Sequence, residues 1–289
     1  MARCADAHPD SAPGPFFVDR TCIDCGTCYQ FAPETFADGG DHAKVHRQPE
    51  GPEALRLAAM ALVACPVGSI GSSEKAAVAE ATRAFPHPLA EDLCFCGYTS
   101  EKSFGAWSYL ILRAEGNVLV DSPRAAKPLM DRIEALGGVR WMVLSHRDDV
   151  ADHEAFRDRF GCERVAHQAE GLRGLERYVD GEEPLPLASD LLLIPTPGHT
   201  AGSLCLLNRE RLFTGDHLWW NPARGGLSAS QAYNWHSWPR QLASLEKLLA
   251  FDISWVLPGH GSTHRAVSPR AMHDELQKAL ARLKGMAAS

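Results

Sequence analysis

LSHRDDVADH (residues 144–153) follows a short apolar run, Trp141–Leu144, and sets five potential ligands directly after it: His146, Asp148, Asp149, Asp152 and His153. A buried strand that runs into such a stretch delivers imidazoles and carboxylates to one edge of a sheet, where α/β folds place their chemistry. Three further stretches share this design. They are PGHTAGS (197–203) with His199, TGDHL (214–218) with Asp216, and PGHG (258–261) with His260. Each follows a strand-like run: Leu191–Ile194, Arg211–Thr214 and Trp255–Leu257. VDSP (120–123) adds Asp121 as a supporting group. Neutral imidazoles mixed with carboxylates suit zinc, iron or manganese.

The order of these motifs resembles the metallo-β-lactamase superfamily over about residues 93–265, in particular its glyoxalase-II-like and flavodiiron-like branches. The resemblance implies an αββα sandwich with one or two divalent metals, zinc or iron or else manganese, at one edge. It also implies roles. His146, Asp148 and His199 would hold the first metal. Asp152, with His153 or Asp149, and His260 would hold the second. Asp216 would bridge the two, Asp148 and Asp216 would be the catalytic carboxylates, and Asp121 would support them. The sequence departs from the family's H-x-H-x-D-H pattern. Asp148 stands at the third position, and the Asp152-His153 pair comes two residues late, with Val150 and Ala151 in the standard places. Either a bulge keeps Asp152 and His153 as ligands, or the second site is altered. A carboxylate at the third position is similar to the flavodiiron branch and favours iron or manganese somewhat over zinc.

The other dense pattern is Cys22, Cys25 and Cys28 in C-x2-C-x2-C, with a distant Cys65-Pro66. Thiolates on tight turns are the usual ligands of iron–sulfur clusters. In two-cluster ferredoxins a further cysteine before a proline serves the other cluster. Here that place is Ala32-Pro33. The count is one [4Fe–4S] cluster on Cys22, Cys25, Cys28 and Cys65. A structural zinc ribbon would use two separated C-x2-C knuckles instead. The stretch 15–72 resembles single-cluster bacterial-type ferredoxins, which implies an α+β ferredoxin-like domain.

The expected organisation is a flexible tail at 1–15, the cluster domain at 16–72, a linker at 73–92 rich in Ala and punctuated by Pro86 and Pro88, and the metal domain at 93–289. A helix over Glu53–Ala64, opened by Pro52, would deliver Cys65. The net charge of −7 argues against nucleic acid and against an anionic membrane surface as partners. The first residues lack the pattern of a secretory signal, and the nine cysteines point to metal or redox work, so a cytoplasmic location is expected. A segment of tryptophans and glycines, residues 219–238, reads as a loop beside the active edge. Three functions compete. The first is metal-dependent hydrolysis of a small molecule, with metal-bound hydroxide as nucleophile. The second is an iron-dependent oxidoreductase fed by the cluster, with a redox partner protein. The third is a non-catalytic electron-transfer or redox-sensing protein.

Overall fold

The structure, a computed structural model, describes residues 2–287; Met1, Ala288 and Ser289, at the ends of the expected tail and second domain, lie outside the described residues. The chain divides into two compact units, one running up to Arg140 together with Ala151–Cys162, the other holding Trp141–Val150 and the chain from Glu163 onward.

In the first unit, strand Phe16–Val18 pairs antiparallel with Ile70–Ser72, and Phe36–Asp38 forms a hairpin with Ala43–Val45. Helix Gly51–Ala64 begins two residues before the expected start, with Pro52 in its first turn. Its alanines let it sink: Ala58, Ala59, Met60 and Ala61 are all fully buried. It ends on Cys65, whose N–H still donates to Ala61 O at 3.0 Å while its backbone turns extended. The expected tail is tied down. Arg3 N donates to Asp19 Oδ2 at 2.8 Å, His8 N to Val18 O at 2.8 Å and Ala12 N to Val45 O at 2.6 Å. Gln48 Nε2 adds bonds to the carbonyls of Ala12 and Phe16, both 2.8 Å. Composition reads the segment as loose; its backbone hydrogen bonds hold it.

The expected linker is also structured. Helix Lys75–Ala81 and strand His87–Ala90 occupy it, and the strand opens an antiparallel run with Leu93–Phe95, Tyr109–Ile111 and Val118–Val120. Phe31 of the cluster module meets Phe85, Phe95 and Trp107, with ring centroids 5.6–6.2 Å apart. Phe95 and Trp107 stack at 4.0 Å. Thr99 Oγ1 donates to Ala64 O at 2.6 Å, at the end of the helix that carries Cys65. The cluster module and these strands therefore share a core across the expected boundary.

In the second unit, Trp141–Val143, Glu163–His167 and Arg177–Val179 run parallel. A separate sheet runs Leu185–Ala188, Leu191–Pro195, Leu204–Asn208, Arg211–Gly215, Trp255–Pro258, His264–Arg265 in spatial order. The pairing of Leu204–Asn208 with Arg211–Gly215 is the hairpin read from sequence. Helices Trp238–Lys247 and Pro269–Ala287 put Leu242, Leu245, Met272, Leu276 and Leu280 into a core with Ile194, Leu212 and Val256 of this sheet. Residues 219–238 are less irregular than expected. Trp219–Asn221 and Gly226–Ser228 form a hairpin, and Trp220 stacks on His264 at 3.7 Å.

Candidate metal centre and cluster site

Leu144 N donates to Val165 O at 2.9 Å, so the parallel pairing holds the backbone up to the start of the motif loop. Ser145 O then accepts from Leu204 N at 2.7 Å, which ties the His146 loop to the strand that follows the His199 turn. The two imidazoles are buried and perpendicular, with centroids 4.9 Å apart. One donor atom each from His146, Asp148 and His199 lies within 4.8 Å of the others, and so does a set from His146, Asp149 and Asp216. His146 Nε2 is 4.0 Å from Asp148 Oδ2 and 3.7 Å from Asp216 Oδ2, and His199 Nε2 is 3.9 Å from Asp216 Oδ2. These separations are too long for hydrogen bonds and suit donors that share a cation at roughly 2.0–2.2 Å from each. His260 Nδ1 reaches both Asp216 oxygens, at 2.8 and 2.9 Å.

The donor chemistry fits a metal. His199 Nε2 is buried with no hydrogen-bond partner among the described residues. Such an atom costs about 1–3 kcal/mol if nothing satisfies it. Burial, with His146 adding to it, pushes the His199 imidazole below its ordinary range, which keeps it a neutral ligand. Burial works against ionising Asp216, but His260, His146 and His199 outweigh it and hold the carboxyl well below the usual range. A side chain at Gly259 would put its Cβ 2.7 Å from Asp149 Oδ2 and 3.1 Å from Asp216 Oδ1, so only glycine leaves room there.

Asp152 requires a correction. Its carboxylate is taken by Lys102 Nζ at 2.7 Å and by Ala125 N at 3.0 Å, and it stands outside both converging sets. It precedes helix His153–Phe160 without capping it through its side chain. His153, partly buried in the first turn of that helix, is in neither set. Asp149, the other residue weighed for this place, belongs to one of the converging sets: it is three residues past His146 and its side chain is 1% exposed. Asp121 is buried at the end of Val118–Val120 with a left-handed φ of 56°.

Several supporting residues escape the motif reading. Buried Glu170 accepts from Arg147 N at 2.9 Å, Thr200 Oγ1 at 2.5 Å and Gly202 N at 2.6 Å, clamping the two histidine loops together. The His199 ring bonds the Tyr233 backbone, which fixes its tautomer. Asn234 Nδ2 reaches Gly198 O at 2.8 Å and Gln241 Oε1 at 2.6 Å, while Gln241 Nε2 donates to His217 O at 2.9 Å. His217 is fully enclosed; burial pushes its imidazole down to about 3. No sequence spacing marks Glu170 or Gln241, because each acts across a long loop.

In the first unit Cys22, Cys25, Cys28 and Cys65 line one cavity. None is in a disulfide. Ala43 N donates to Cys22 Sγ at 3.3 Å, and Ser69 Oγ lies 3.3 Å from Cys65 Sγ. Burial pushes the Cys25 thiol up to about 11, a cost that bound iron would offset by stabilising the thiolate. Gly105, at φ +85°, is pressed against this residue. A Cβ there would lie 2.7 Å from Cys25 Sγ, and Gly105 O accepts from buried Thr27 Oγ1 at 2.8 Å. Four free thiols around one cavity, Cys28 and Cys65 of them buried, fit a cluster.

Residues 103–260 match the metallo-beta-lactamase superfamily, and residues 18–72 match the 4Fe-4S single cluster domain of ferredoxin I. The chain belongs to the metallo-β-lactamase superfamily, with its αββα sandwich preceded by a ferredoxin-like module. Among curated proteins it is similar to a hydroxyacylglutathione hydrolase of Rhizobium etli, 30% identical over 156 residues that cover 50% of this chain and 57% of that one. It is also similar to one of Citrobacter koseri, 29% identical over 115 residues, 38% and 46% of the two chains. The chain thus spans about half the length of these relatives. Among solved structures it resembles DIM-1 metallo-beta-lactamase exposed to ceftazidime, with TM-score 0.51, 13% identity and coverage of 66% and 95%. It also resembles FIM-1 from Pseudomonas aeruginosa in its mono-zinc form, with TM-score 0.50, 16% identity and coverage of 69% and 94%. At these identities the likeness is one of fold. No helix among the described residues is long and apolar enough to cross a membrane.

Proposed function

We propose that this protein is a metal-dependent hydrolase of a small acyl substrate, a thioester first among them, and that its [4Fe–4S] module serves the same chain as a redox-sensitive support. The observation that carries this reading is the pair of converging donor sets on His146, Asp148 and His199 and on His146, Asp149 and Asp216. The similarity to hydroxyacylglutathione hydrolases supports the thioester class. His146, Asp148 and His199 would hold one ion, Asp149 and His260 a second, and Asp216 both. A metal bound there supplies a water of lowered pKa and polarises a carbonyl oxygen. The residues do the rest. Burial keeps the His199 imidazole neutral, and Asp216 stays ionised among three imidazoles. Asp148, with 49% of its side chain exposed, is the carboxylate placed to receive a proton on the solvent side.

The test is anaerobic purification, metal and sulfide analysis, and assay against a panel of S-acyl thiols, lactones and β-lactams. Thioester cleavage that disappears in Asp216→Ala supports the reading; no cleavage of any of them by metal-replete protein overturns it. The carboxylate-rich donor set, with Asp148, Asp149 and Asp216, favours a second reading, an iron-dependent oxidoreductase supplied with electrons by the cluster and a partner protein. Two irons beyond the cluster, with dioxygen or substrate reduction and no hydrolysis, would select it.

A further inference from the structure

The segment 231–237 is fastened to the turn that carries His199. Asn234 Nδ2 donates to Gly198 O at 2.8 Å, Trp235 N to His199 O at 2.8 Å and Ser237 N to Gly198 O at 3.0 Å. The Tyr233 backbone accepts from the His199 ring. Nε2 of that ring has no hydrogen-bond partner among the described residues, so Nδ1 is the donor. The two nitrogens share one small ring, which puts the Tyr233 carbonyl roughly 5 Å from the buried Nε2. These bonds root the segment beside the donor set of His146, Asp148 and His199.

On this held backbone stand Tyr233 and Trp235, 67% and 59% exposed, the most exposed large aromatic residues among those described. Their rings meet edge to face, with centroids 6.4 Å apart and planes at 65°. The other tryptophans of 219–238 serve packing: Trp238 is buried in the core under the second sheet, and Trp219 and Trp220 pack against that core. Tyr233 and Trp235 have no part in it. One exposed aromatic is ordinary, but two in contact on a fixed segment make an apolar platform. With two side-chain torsions each, such rings lose little entropy when they grip a ligand. Arg240, the nearest cation along the chain, is already paired with Glu182, so the platform offers π faces and apolar edges rather than charge. Its root on His199 decides what covers it. A small substrate that presents a carbonyl at the metal centre lays its adjoining groups over a distance of this order.

We propose that Tyr233 and Trp235 form a specificity platform that selects substrates carrying an aromatic ring next to the scissile bond. The inference rests on the hydrolase reading and names the substrate class within it. An aryl ring can meet these rings edge to face or offset, whereas an acetyl group is too small to cover them. The aryl ring can belong to the acyl group or to the thiol.

The experiment uses metal-replete, cluster-loaded, full-length protein. Three thioesters are compared: acetyl on an alkyl thiol, phenylacetyl on the same thiol, and acetyl on benzyl thiol. One of the two aryl substrates should have a KM about tenfold below that of the alkyl acetyl ester, and the one that does identifies the side of the bond that meets the platform. Trp235→Ala should erase that preference through KM, with kcat changing far less; Trp235→Phe should restore most of it. The truncation spares the backbone bond to His199, so a fall in kcat for all three substrates would mean a disturbed ligand turn and would overturn the platform. Calorimetry with a benzyl thioether, which cannot be hydrolysed, separates this inference from the reading beneath it. Thioether binding that weakens about tenfold in Trp235→Ala supports the platform even if no thioester is cleaved. Equal thioether affinity and equal aryl preference in the parent, Tyr233→Ala and Trp235→Ala would overturn it. So would a change in sedimenting mass of Trp235→Ala with KM unaltered, which would assign the two rings to contact between copies of the chain.

Discussion

Asp149 and Asp152 differ by three positions and have quite different surroundings. Both follow His146 on one loop, and spacing alone favours Asp152, because it is paired with His153 as the family motif pairs its own Asp and His. The structure favours Asp149 because the loop does not bulge. It hands Asp152 to Lys102 and Ala125 and turns Asp149 inward beside Gly259. Asp149→Ala should therefore lower bound metal by one equivalent or weaken it severely. Asp152→Ala should keep full occupancy, with stability reduced by about 1 kcal/mol for the partly exposed ion pair and the backbone hydrogen bond together. Metal analysis beside thermal melts separates the two; loss of metal from Asp152→Ala would restore the bulged loop. The convergence of His146, His199 and Asp216 could be anticipated from sequence because each closely follows an apolar run. Glu170 was not, since its three hydrogen-bond partners lie 23, 30 and 32 residues away. Glu170→Gln keeps its shape but loses an acceptor oxygen, and should weaken metal binding through the loops rather than through any ligand.

Helix Gly51–Ala64 shows what local pattern can reach. Pro52 at its start, an alanine-rich body and Cys65-Pro66 at its end announce both the helix and its purpose. The short strands Glu163–His167 and Arg177–Val179 carry no such announcement, since charged residues break their apolar runs. Cys65→Ser should abolish most iron–sulfur absorbance and loosen the surrounding module, which is too small to rely on its own apolar core. Unchanged sulfide content would refute the assignment of Cys65. Strand Glu163–His167 offers a pH test. Glu176 bonds Arg164 at its N–H, Nε and Nη2, each 2.9 Å, and these bonds hold its carboxyl at about 2 rather than 4.5. A depressed carboxyl contributes stability that is complete above its unfolded value and is lost as pH falls toward its folded one. Acid unfolding of the parent should steepen between about pH 4.5 and about pH 2. Glu176→Gln should be less stable at neutral pH and flatter across that window.

At the scale of the molecule, motif reading finds both modules and misplaces the seam. Ala, Pro and charged residues over 73–92 look like a spacer, yet Phe85 and the strand after it belong to a core that Phe31 enters from the cluster side. Aromatic rings 50 or more residues apart leave no periodicity to read. A chain beginning at Phe85 should consequently express as aggregated or low-melting protein, because it uncovers Phe85, Phe95 and Trp107. Phe95→Ala, at a fully buried ring, should cost the full-length protein about 3–5 kcal/mol. A soluble fragment with a melting temperature equal to the parent's would show that the shared core contributes nothing.

Gly105 rests on Cys25 from a point in the chain 40 residues beyond Cys65, the last of the four thiols to be synthesised. The order of manufacture follows from that placement. All four cysteines emerge from the ribosome before the segment that packs on one of them, so an iron–sulfur donor that arrives early meets the cradle with that side still open. Once Thr27 has closed on the Gly105 carbonyl, that side of Cys25 is covered, and delivery to this thiol should slow. Folded apoprotein should take up iron and sulfide slowly, at a rate set by opening rather than by donor concentration. Chains refolded from denaturant in the presence of the donor should load promptly.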